Sequence, residues 1–332
     1  MPTRTLFIRI KILGSIEIEI SGRAVAMFLL KAWRSTAFGA YGYLNFTRAG
    51  YLEHSKKFNP DDMQASISGK NCIVTGANSG IGYATAEGLA SRGANVFMVC
   101  RNKERGEAAC SQIQSVTVCR YVIFHLSMRS SHLLPDFLQR IFQFMSWSTM
   151  LAYLRINVLP LLKGPFTMTE IMLPLLEKAA PDARVITVSS GGMYTAPLME
   201  DLQFSSGKFD GVEQYARNKR VQVALTEKWA ELYKDKGIGF YSMHPGWAET
   251  PGVARSLPGF SKSFSGKLRT SEQGADTLIW LALQAKDKLV SGAFYFDRAE
   301  APKHLPFAAT GGSHVAIDPI IKNLHYLSSL PS

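Results

Sequence analysis

The chain has 332 residues, of which 46% are hydrophobic and 19% charged, and its formal net charge is +11. This balance is that of a folded globular protein and excludes a wholly disordered chain. The positive charge indicates contact with anions, for example a phosphorylated cofactor or a lipid surface. The basic residues are scattered, with no zinc-finger or RNA-binding spacing, so we expect no nucleic-acid partner. No apolar stretch is long and clean enough to span a bilayer.

The first segment, residues 1–26, looks appended to the rest. Its run FIRIKILGSIEIEI alternates apolar and charged residues around Gly14-Ser15, a pattern typical of a short hairpin. Arg9 and Lys11 would then face Glu17 and Glu19 across the two strands. These acidic residues argue against a targeting peptide here.

The next segment, residues 27–66, is rich in aromatic side chains and has no acidic residue before Glu53. Lys31, Arg34 and Arg48 make it basic. Three interpretations stay open: an organelle-targeting sequence that starts at Met27, a membrane-surface helix in peripheral contact through residues 27–50, or a helical lead-in packed on the core.

Residues 67–300 alternate between strand-like and helix-like runs. The strand-like runs are KNCIVTG, ANVFMVC, ARVITVSS, GIGFYSMH and SGAFYFD. Apolar strands separated by segments of helical length indicate parallel strands covered on both faces. We therefore predict an α/β domain with a doubly wound, Rossmann-type parallel sheet. Residues 301–332 are punctuated by proline and glycine and are predicted to form a peripheral tail.

The cysteines predict neither a disulfide framework nor a metal site. They are Cys72, Cys100, Cys110 and Cys119, with no Cys-x-x-Cys pair among them. We expect buried thiols in a reducing, intracellular compartment, either cytoplasmic or organellar.

A glycine-rich turn, TGANSGIG, lies between the first of these strands and its helix. Such a turn lets the backbone approach a pyrophosphate, and the helix N-terminus offers it unpaired N–H groups. The strand before and the helix after make the motif more specific than a lone glycine pattern. The predicted cofactor-binding residues in this loop are Gly76, Asn78, Ser79, Gly80, Ile81 and Gly82.

The second strand ends in Cys100-Arg101-Asn102-Lys103, with no acidic residue until Glu104. A carboxylate at this point would bind the ribose of NAD, whereas an arginine accommodates the 2′-phosphate of NADP. Arg101 and Lys103 therefore favour NADP(H) over NAD(H). The alternative is a solvated basic turn.

The run QYARNKR places Tyr215 and Lys219 four residues apart, on one face of a predicted helix. A free tyrosine has a pKa of about 10 and is a poor acid or base near neutrality. A neighbouring positive charge favours the phenolate and lowers that pKa. Lys219 is placed to supply this charge.

With TGxxxGIG, a VSS strand end, YxxxK and HPGWAET in this order, the chain resembles the short-chain dehydrogenase/reductase family, and one branch of it in particular. The resemblance covers about residues 27–300, apart from a stretch in the middle. It implies reversible carbonyl/alcohol oxidoreduction, with Tyr215 as the acid/base and Lys219 as its electrostatic partner and a ligand of the nicotinamide ribose. Ser190 would donate a hydrogen bond to the substrate oxygen, with Ser189 as the alternative.

The resemblance extends to other parts of the site. PGWAET resembles the family's PGxxxT, which implies that Pro245, Gly246 and Thr250 lie at the nicotinamide end of the cofactor. Asn157 would complete a catalytic tetrad. The substrate is expected to be a small carbonyl or alcohol, and the phenylalanines at 260 and 264 indicate an apolar one. Paired helices commonly form dimers or tetramers in this family, so the resemblance allows a homo-oligomer, but the residues themselves do not indicate an oligomeric state.

The middle segment, about residues 115–156, departs from the family pattern. The NNAG motif of the central strand is absent, and the one convincing strand, Val116–Leu126, precedes an aromatic-rich run with a helical pattern. We expect that either this strand fills the central slot or the sheet is split. Each unpaired buried ladder group would cost about 1–3 kcal/mol. The alternative function is therefore a catalytically impaired nucleotide-binding pseudoenzyme, or an aberrant isoform that lacks the NNAG strand.

Overall fold

The computed structural model describes residues 7–12, 16–100, 102–116, 124–125, 150–154, 160–202, 209–306, 308–311 and 317–329. In these ranges the strands are β1 Phe7–Ile12, β2 Ile16–Ser21, β3 Asn71–Thr75, β4 Asn95–Cys100, β5 Phe124–His125, β6 Met150–Leu154, β7 Arg184–Val188, β8 Gly239–His244, β9 Phe294–Phe296 and β10 Ala299–Glu300. The helices are α1 Gly22–Asn45, α2 Arg48–Ser55, α3 Gly80–Ala90, α4 Lys103–Val116, α5 Pro160–Lys178, α6 Gly211–Leu232, α7 Pro251–Ser256, α8 Pro258–Ser263, α9 Ser271–Leu283 and α10 Ile317–Ser329.

The main sheet has the strand order β10-β9-β8-β7-β6-β3-β4-β5 in the described residues. From β9 to β5 every neighbouring pair is parallel, and only β10 runs antiparallel at the edge. The chain winds outward from β3 through β4 to β5, then returns to β6 and winds the other way. The sheet is therefore doubly wound, with its switch point between β3 and β6, as the sequence predicted.

The prediction for the central slot was wrong. The slot beside β3 is filled by β6, which pairs with β3 on one side and β7 on the other. The short strand β5, which lies within the predicted strand at 116–126, pairs with β4 at the sheet edge instead. The sequence of β6, MLAYL, ends the run that was predicted to be helical, and a short apolar run cannot be assigned to helix or strand from periodicity alone.

Helices cover both faces of the sheet. The helices α3, α4 and α9 pack on one face around a core that includes Met98, Ile113 and Leu278. The helices α5, α6 and α10 pack on the other face. In α10, Ile317 and Ile320 are fully buried, so this part of the tail belongs to the core rather than to the periphery.

The N-terminal strands β1 and β2 pair with each other, and Arg9 lies opposite Glu19 and Lys11 opposite Glu17. The helices α1 and α2 follow, and the turn between them reaches the carboxyl edge of the main sheet. There Phe46 packs in a cluster with side chains of β9 and of the segment after β7. In the described residues, no helix is both long and apolar enough to cross a bilayer.

Candidate active site

The glycine loop from Thr75 to Gly82 links the buried strand β3 to helix α3. Gly76 and Gly80 have positive φ angles of 65° and 57°, which L side chains rarely adopt. A Cβ on Gly82 would lie 2.2 Å from the carbonyl oxygen of Gly76, so the loop closes too tightly for a side chain there. The first N–H groups of α3 have no acceptor within the helix and face the carboxyl edge of the sheet.

The loop is anchored to the neighbouring strand. The N–H of Gly76 donates to the carbonyl of Val99, at 2.8 Å. The thiol of Cys100 lies beside the backbone of Ala77 and Asn78, and burial raises the pKa of this thiol. Like Cys72 and Cys110, Cys100 is a buried thiol.

The residues that follow β4 are described in part. Lys103 is the first residue of α4 and is exposed, with its Nζ 3.8 Å from a carboxylate oxygen of Glu107. Asn102 accepts a hydrogen bond from the N–H of Arg105 at 2.7 Å and so supports the start of the helix. The predicted cofactor residue Arg101 lies outside the described residues.

Helix α6 carries the predicted tyrosine and lysine. It begins after Asp210, whose carboxylate accepts hydrogen bonds from the N–H groups of Val212 and Glu213. The Lys219 side chain is buried, and its Nζ donates to the carbonyl of Val188 at 2.8 Å. The same Nζ lies 5.6 Å from the centre of the Tyr215 ring. The end of β7 thus holds the ammonium group beside the phenol.

The two serines after β7 have different surroundings. Ser189 is buried, and its Oγ donates to the backbone carbonyl of Lys219 at 2.8 Å. Ser190 begins a short 3₁₀ turn, and its Oγ accepts a hydrogen bond from the N–H of Gly192. A Cβ on Gly192 would lie 3.5 Å from Ser190 Oγ and 3.6 Å from Tyr215 Cε1. Ser190 and Tyr215 therefore face the same space.

The segment after β8 contains the remaining predicted residues. Gly246 has a φ of 75°, and a Cβ there would lie 2.3 Å from the Nε of Arg269. Thr250 is buried and caps helix α7 by accepting a hydrogen bond from the N–H of Val253 at 3.2 Å. Pro245 precedes this turn at the carboxyl edge, next to the end of β7. The fourth predicted catalytic residue, Asn157, lies outside the described residues.

His244, the last residue of β8, is a buried residue that the sequence analysis did not single out. Its ring stacks on Phe296, with centres 5.3 Å apart, and meets the edge of Phe46 at 4.2 Å. Neither ring nitrogen has a hydrogen-bond partner in the described part of the chain. Burial, and then the charges of Arg269 and Lys219, hold the pKa of His244 well below its usual value. The imidazole is therefore neutral near pH 7.

A second group that the sequence analysis missed lies behind the segment after β8. Arg269 is fully buried and binds both carboxylate oxygens of Asp297, at 2.5 and 2.8 Å. Oδ2 of Asp297, which binds Arg269 Nη2, also contacts His54 Nδ1 at 2.6 Å. A sequence signal for this group is hard to define, because its members are far apart in the chain and follow no motif.

The structure brings most of the predicted residues that it describes to one edge of the sheet. The glycine loop lies at the end of β3, Ser190 at the end of β7, and Pro245 and Gly246 at the end of β8, while α6 supplies Tyr215 and Lys219. This arrangement, beside the switch point of a doubly wound sheet, is that of the dinucleotide-binding Rossmann fold found in dehydrogenases.

Comparisons with known proteins give the family. The model of the short chain dehydrogenase family matches residues 70–158. The chain is 39% identical, over 315 residues, to the Bos taurus protein described as dehydrogenase/reductase SDR family member 12, covering 89% of this chain and 98% of that protein. The Homo sapiens protein of the same description is 37% identical over 316 residues, covering 90% and 99%. The chain therefore belongs to the short-chain dehydrogenase/reductase family of oxidoreductases, and the resemblance read from its motifs is confirmed.

A solved structure shows the same fold. The short chain dehydrogenase of Escherichia coli CFT073, complexed with NADPH, superposes with a TM-score of 0.58 and 19% sequence identity. The match covers 71% of this chain and 99% of that one.

Proposed function

We propose that the protein is an NADP(H)-dependent oxidoreductase that interconverts a small carbonyl compound and its alcohol. The observation that supports this most directly is the grouping of Ser190, Tyr215 and Lys219. The serine and the tyrosine flank one space beside Gly192, and the lysine is buried next to the phenol ring. This grouping joins a proton donor, a neighbouring cation and a second hydrogen-bond donor.

Each of the three side chains has a role in this proposal. Tyr215 donates its phenolic proton to the carbonyl oxygen during reduction, and accepts the alcohol proton in the reverse direction. Lys219 stabilises the phenolate by its charge, since a cation close to the ring favours the ionised form. Ser190 donates a hydrogen bond to the same oxygen and orients it. Ser189 is less suited to this role because its hydroxyl is committed to the backbone of α6.

The glycine loop fits the pyrophosphate of a dinucleotide. Its positive-φ glycines bring the backbone close to a ligand, and the start of α3 directs N–H groups at it. The residues that would bind the cofactor here are Gly76, Asn78, Ser79, Gly80, Ile81 and Gly82. When bound, the nicotinamide cofactor supplies or accepts the hydride.

The two ends of the cofactor would be held by other segments. Lys103, with Arg101, would bind the 2′-phosphate of NADP, and the exposure of the Lys103 side chain is compatible with this role. Pro245, Gly246 and Thr250 would border the nicotinamide. Asn157 remains the proposed fourth member of the catalytic group.

We infer that the substrate is apolar. The aromatic rings of Trp247, Phe260 and Phe264 pack together after β8, with centres 4.7 to 5.2 Å apart. They form an apolar wall next to the segment that would border the nicotinamide. A substrate with an alkyl or isoprenoid chain would bury more apolar surface there than a sugar would.

The substitution Tyr215→Phe tests the proposed function. It removes the phenolic proton and keeps the ring, so turnover of a carbonyl substrate should fall to background while NADPH binding stays nearly intact. Steady-state kinetics and NADPH fluorescence titration measure the two effects. Tyr233→Phe, at the far end of the same helix, is the matched control and should keep normal turnover. Full activity of Tyr215→Phe would refute the proposal.

A pseudoenzyme is the second candidate function. The central strand β6 reads MLAYL in place of the family's NNAG, so the polar groups of that motif are absent from this strand. The presence of β6 removes the objection that the sheet is split. Saturable NADPH binding by the wild-type chain, without turnover of any aldehyde or ketone in a panel, would favour this candidate.

We also propose that α1 rests on a lipid surface. Leu29, Trp33 and Leu44 share one side of this helix and are 50 to 71% exposed. Tryptophan and leucine on the apolar face of a helix favour the bilayer interface. The basic residues Lys31 and Arg34 bind within the chain, to Glu213 and to the carbonyl of Ala308, so contact would be chiefly apolar.

Co-sedimentation with neutral and anionic liposomes tests this contact. The double variant Leu29→Glu, Trp33→Glu should lose binding to both, and Tyr326→Glu, an exposed aromatic residue on α10, is the control. Equal sedimentation of the wild type and the double variant would contradict the proposal.

A further inference from the structure

The turn between α1 and α2 reaches the candidate active site. Phe46 is buried, and a Cβ on Gly191 would lie 2.5 Å from its ring, so the ring rests directly on the residue after Ser190. Its backbone carbonyl accepts a hydrogen bond from the N–H of Trp247 at 2.8 Å. One residue from the N-terminal region thus contacts both the segment that carries Ser190 and the segment proposed to border the nicotinamide.

Glycines on the neighbouring segments make room for this contact. The absence of a side chain at Gly191 leaves space for the Phe46 ring. A Cβ on Gly42 would lie 2.5 Å from the Trp247 ring, so a side chain on α1 would displace that indole. Phe46 also packs edge-on against His244 and Phe296. A buried ring enclosed on these sides cannot shift without moving the backbone next to it.

Arg269 fixes the turn in place from behind. Its guanidinium donates to the carbonyls of Asn45, at 2.7 Å, and Phe46, at 3.0 Å, while it binds Asp297. Its own backbone N–H donates to the carbonyl of Trp247, at 2.8 Å. Each nitrogen of this buried guanidinium donates a hydrogen bond, so a displacement of the side chain would leave buried charge without its partners.

We propose that Phe46, held by the Arg269–Asp297 pair, is a positioning residue that sets the separation between Ser190 and the nicotinamide end of the cofactor. The inference rests on the proposed function, because it assigns Ser190 a role in the reaction. Phe46 does not touch the reacting atoms. It acts by keeping two backbone segments at a fixed distance, and an error of about 1 Å in such a distance can lower a rate about 100-fold.

A double-mutant cycle tests the role of Phe46. Phe46→Ala should lower kcat about 10- to 100-fold and leave the Kd for NADPH within about threefold, because the glycine loop binds the far end of the cofactor. In a Ser190→Ala background the same substitution should have little further effect on kcat, since the group that it positions is gone. Phe46→Leu, which keeps part of the apolar volume, should recover part of the rate.

The matched control is Phe58→Ala. Phe58 lies just after α2, packs against Tyr51 and Arg298, and contacts neither Gly191 nor Trp247 among the contacts described. This variant should keep a wild-type kcat. Amide exchange of the cofactor-free protein gives a second readout, in which Phe46→Ala but not Phe58→Ala speeds exchange at residues 191–195 and 246–249.

The outcomes separate this proposal from the proposed function. An active wild type with an inactive Tyr215→Phe variant and a fully active Phe46→Ala variant would refute the positioning role alone. Multiplicative effects of Phe46→Ala and Ser190→Ala would also refute it, because they would show that the two residues act independently. A wild type without any turnover would refute the proposed function first, and with it the positioning role.

Discussion

The glycine loop and the region around Phe46 at the other side of the candidate site, called the corner below, are built in different ways. The loop is eight consecutive residues whose backbone is itself the proposed binding surface, held by local geometry and by contacts with Val99 and Cys100 of β4. The corner combines the turn at Phe46 with Ser190, His244, Trp247 and Arg269, which are far apart in the chain. Local sequence is thus sufficient to specify the loop, whereas the corner exists only when the chain is folded.

The largest expected effect concerns the corner. Arg269→Met removes the guanidinium that pairs with Asp297 and leaves that carboxylate buried. The free energy of unfolding should therefore fall by about 3–5 kcal/mol. Chemical denaturation measures this loss. The control is Arg298→Met, which breaks the pair with Asp276. Both of those side chains are 11% exposed, against 1% and 4% for Arg269 and Asp297, so water can solvate the remaining charge better and the loss should be smaller. Equal losses from the two variants would show that burial of the Arg269 pair is not what holds the corner.

A smaller effect is expected in the loop. Gly82→Ala places a Cβ 2.2 Å from the backbone oxygen of Gly76, so the loop must open, at a cost of about 1–3 kcal/mol. NADPH affinity should fall at least about tenfold, as measured by fluorescence titration, because backbone N–H groups leave their positions.

The control for the loop lies on the same helix. A Cβ on Gly88 would lie 2.4 Å from Cδ1 and 3.3 Å from Cγ1 of Ile279, and 3.8 Å from Nη1 of Arg92. These are side-chain atoms outside the glycine loop, so Gly88→Ala should bind NADPH normally. Retained affinity in Gly82→Ala would show that the loop does not bind the cofactor through its closed conformation.

The smallest effect is the pH dependence of the corner. His244 has a lowered pKa in the folded protein, so the unfolded chain binds its proton more readily. Above the pKa of the unfolded chain, about 6.5, the ring is neutral in both states and does not affect the free energy of unfolding. Below it, protonation favours the unfolded chain, so the free energy of unfolding falls by about 1.4 kcal/mol per pH unit. His244→Phe should flatten the dependence of unfolding free energy on pH between about 6.5 and 5. If the slope of unfolding free energy against pH is the same in His244→Phe as in the wild type, His244 is not the group responsible for the loss of stability in acid.

Much of the fold and the site could be predicted because its signals are local. The strands β3, β4, β7 and β8 are short apolar runs bounded by turns, and the tyrosine and lysine need only helical spacing to meet. The strand β6 was missed because its apolar residues continue an aromatic-rich run, and five residues carry too little periodicity to separate strand from helix. Its assignment depends on pairing with β3 and β7.

The sequence by itself determined the doubly wound sheet, the glycine turn with its following helix, and the pairing of Tyr215 with Lys219 on one helical face. Backbone preferences and residue spacing act over a few residues, so these features need no distant partner. Only the tertiary structure decided that the turn at Phe46 reaches the edge of the sheet that carries the candidate active site, and that Arg269 is buried against Asp297. It also decided that β6 fills the central slot. Such contacts join segments up to 224 residues apart in the sequence, and no local sequence pattern encodes how segments so far apart pack together.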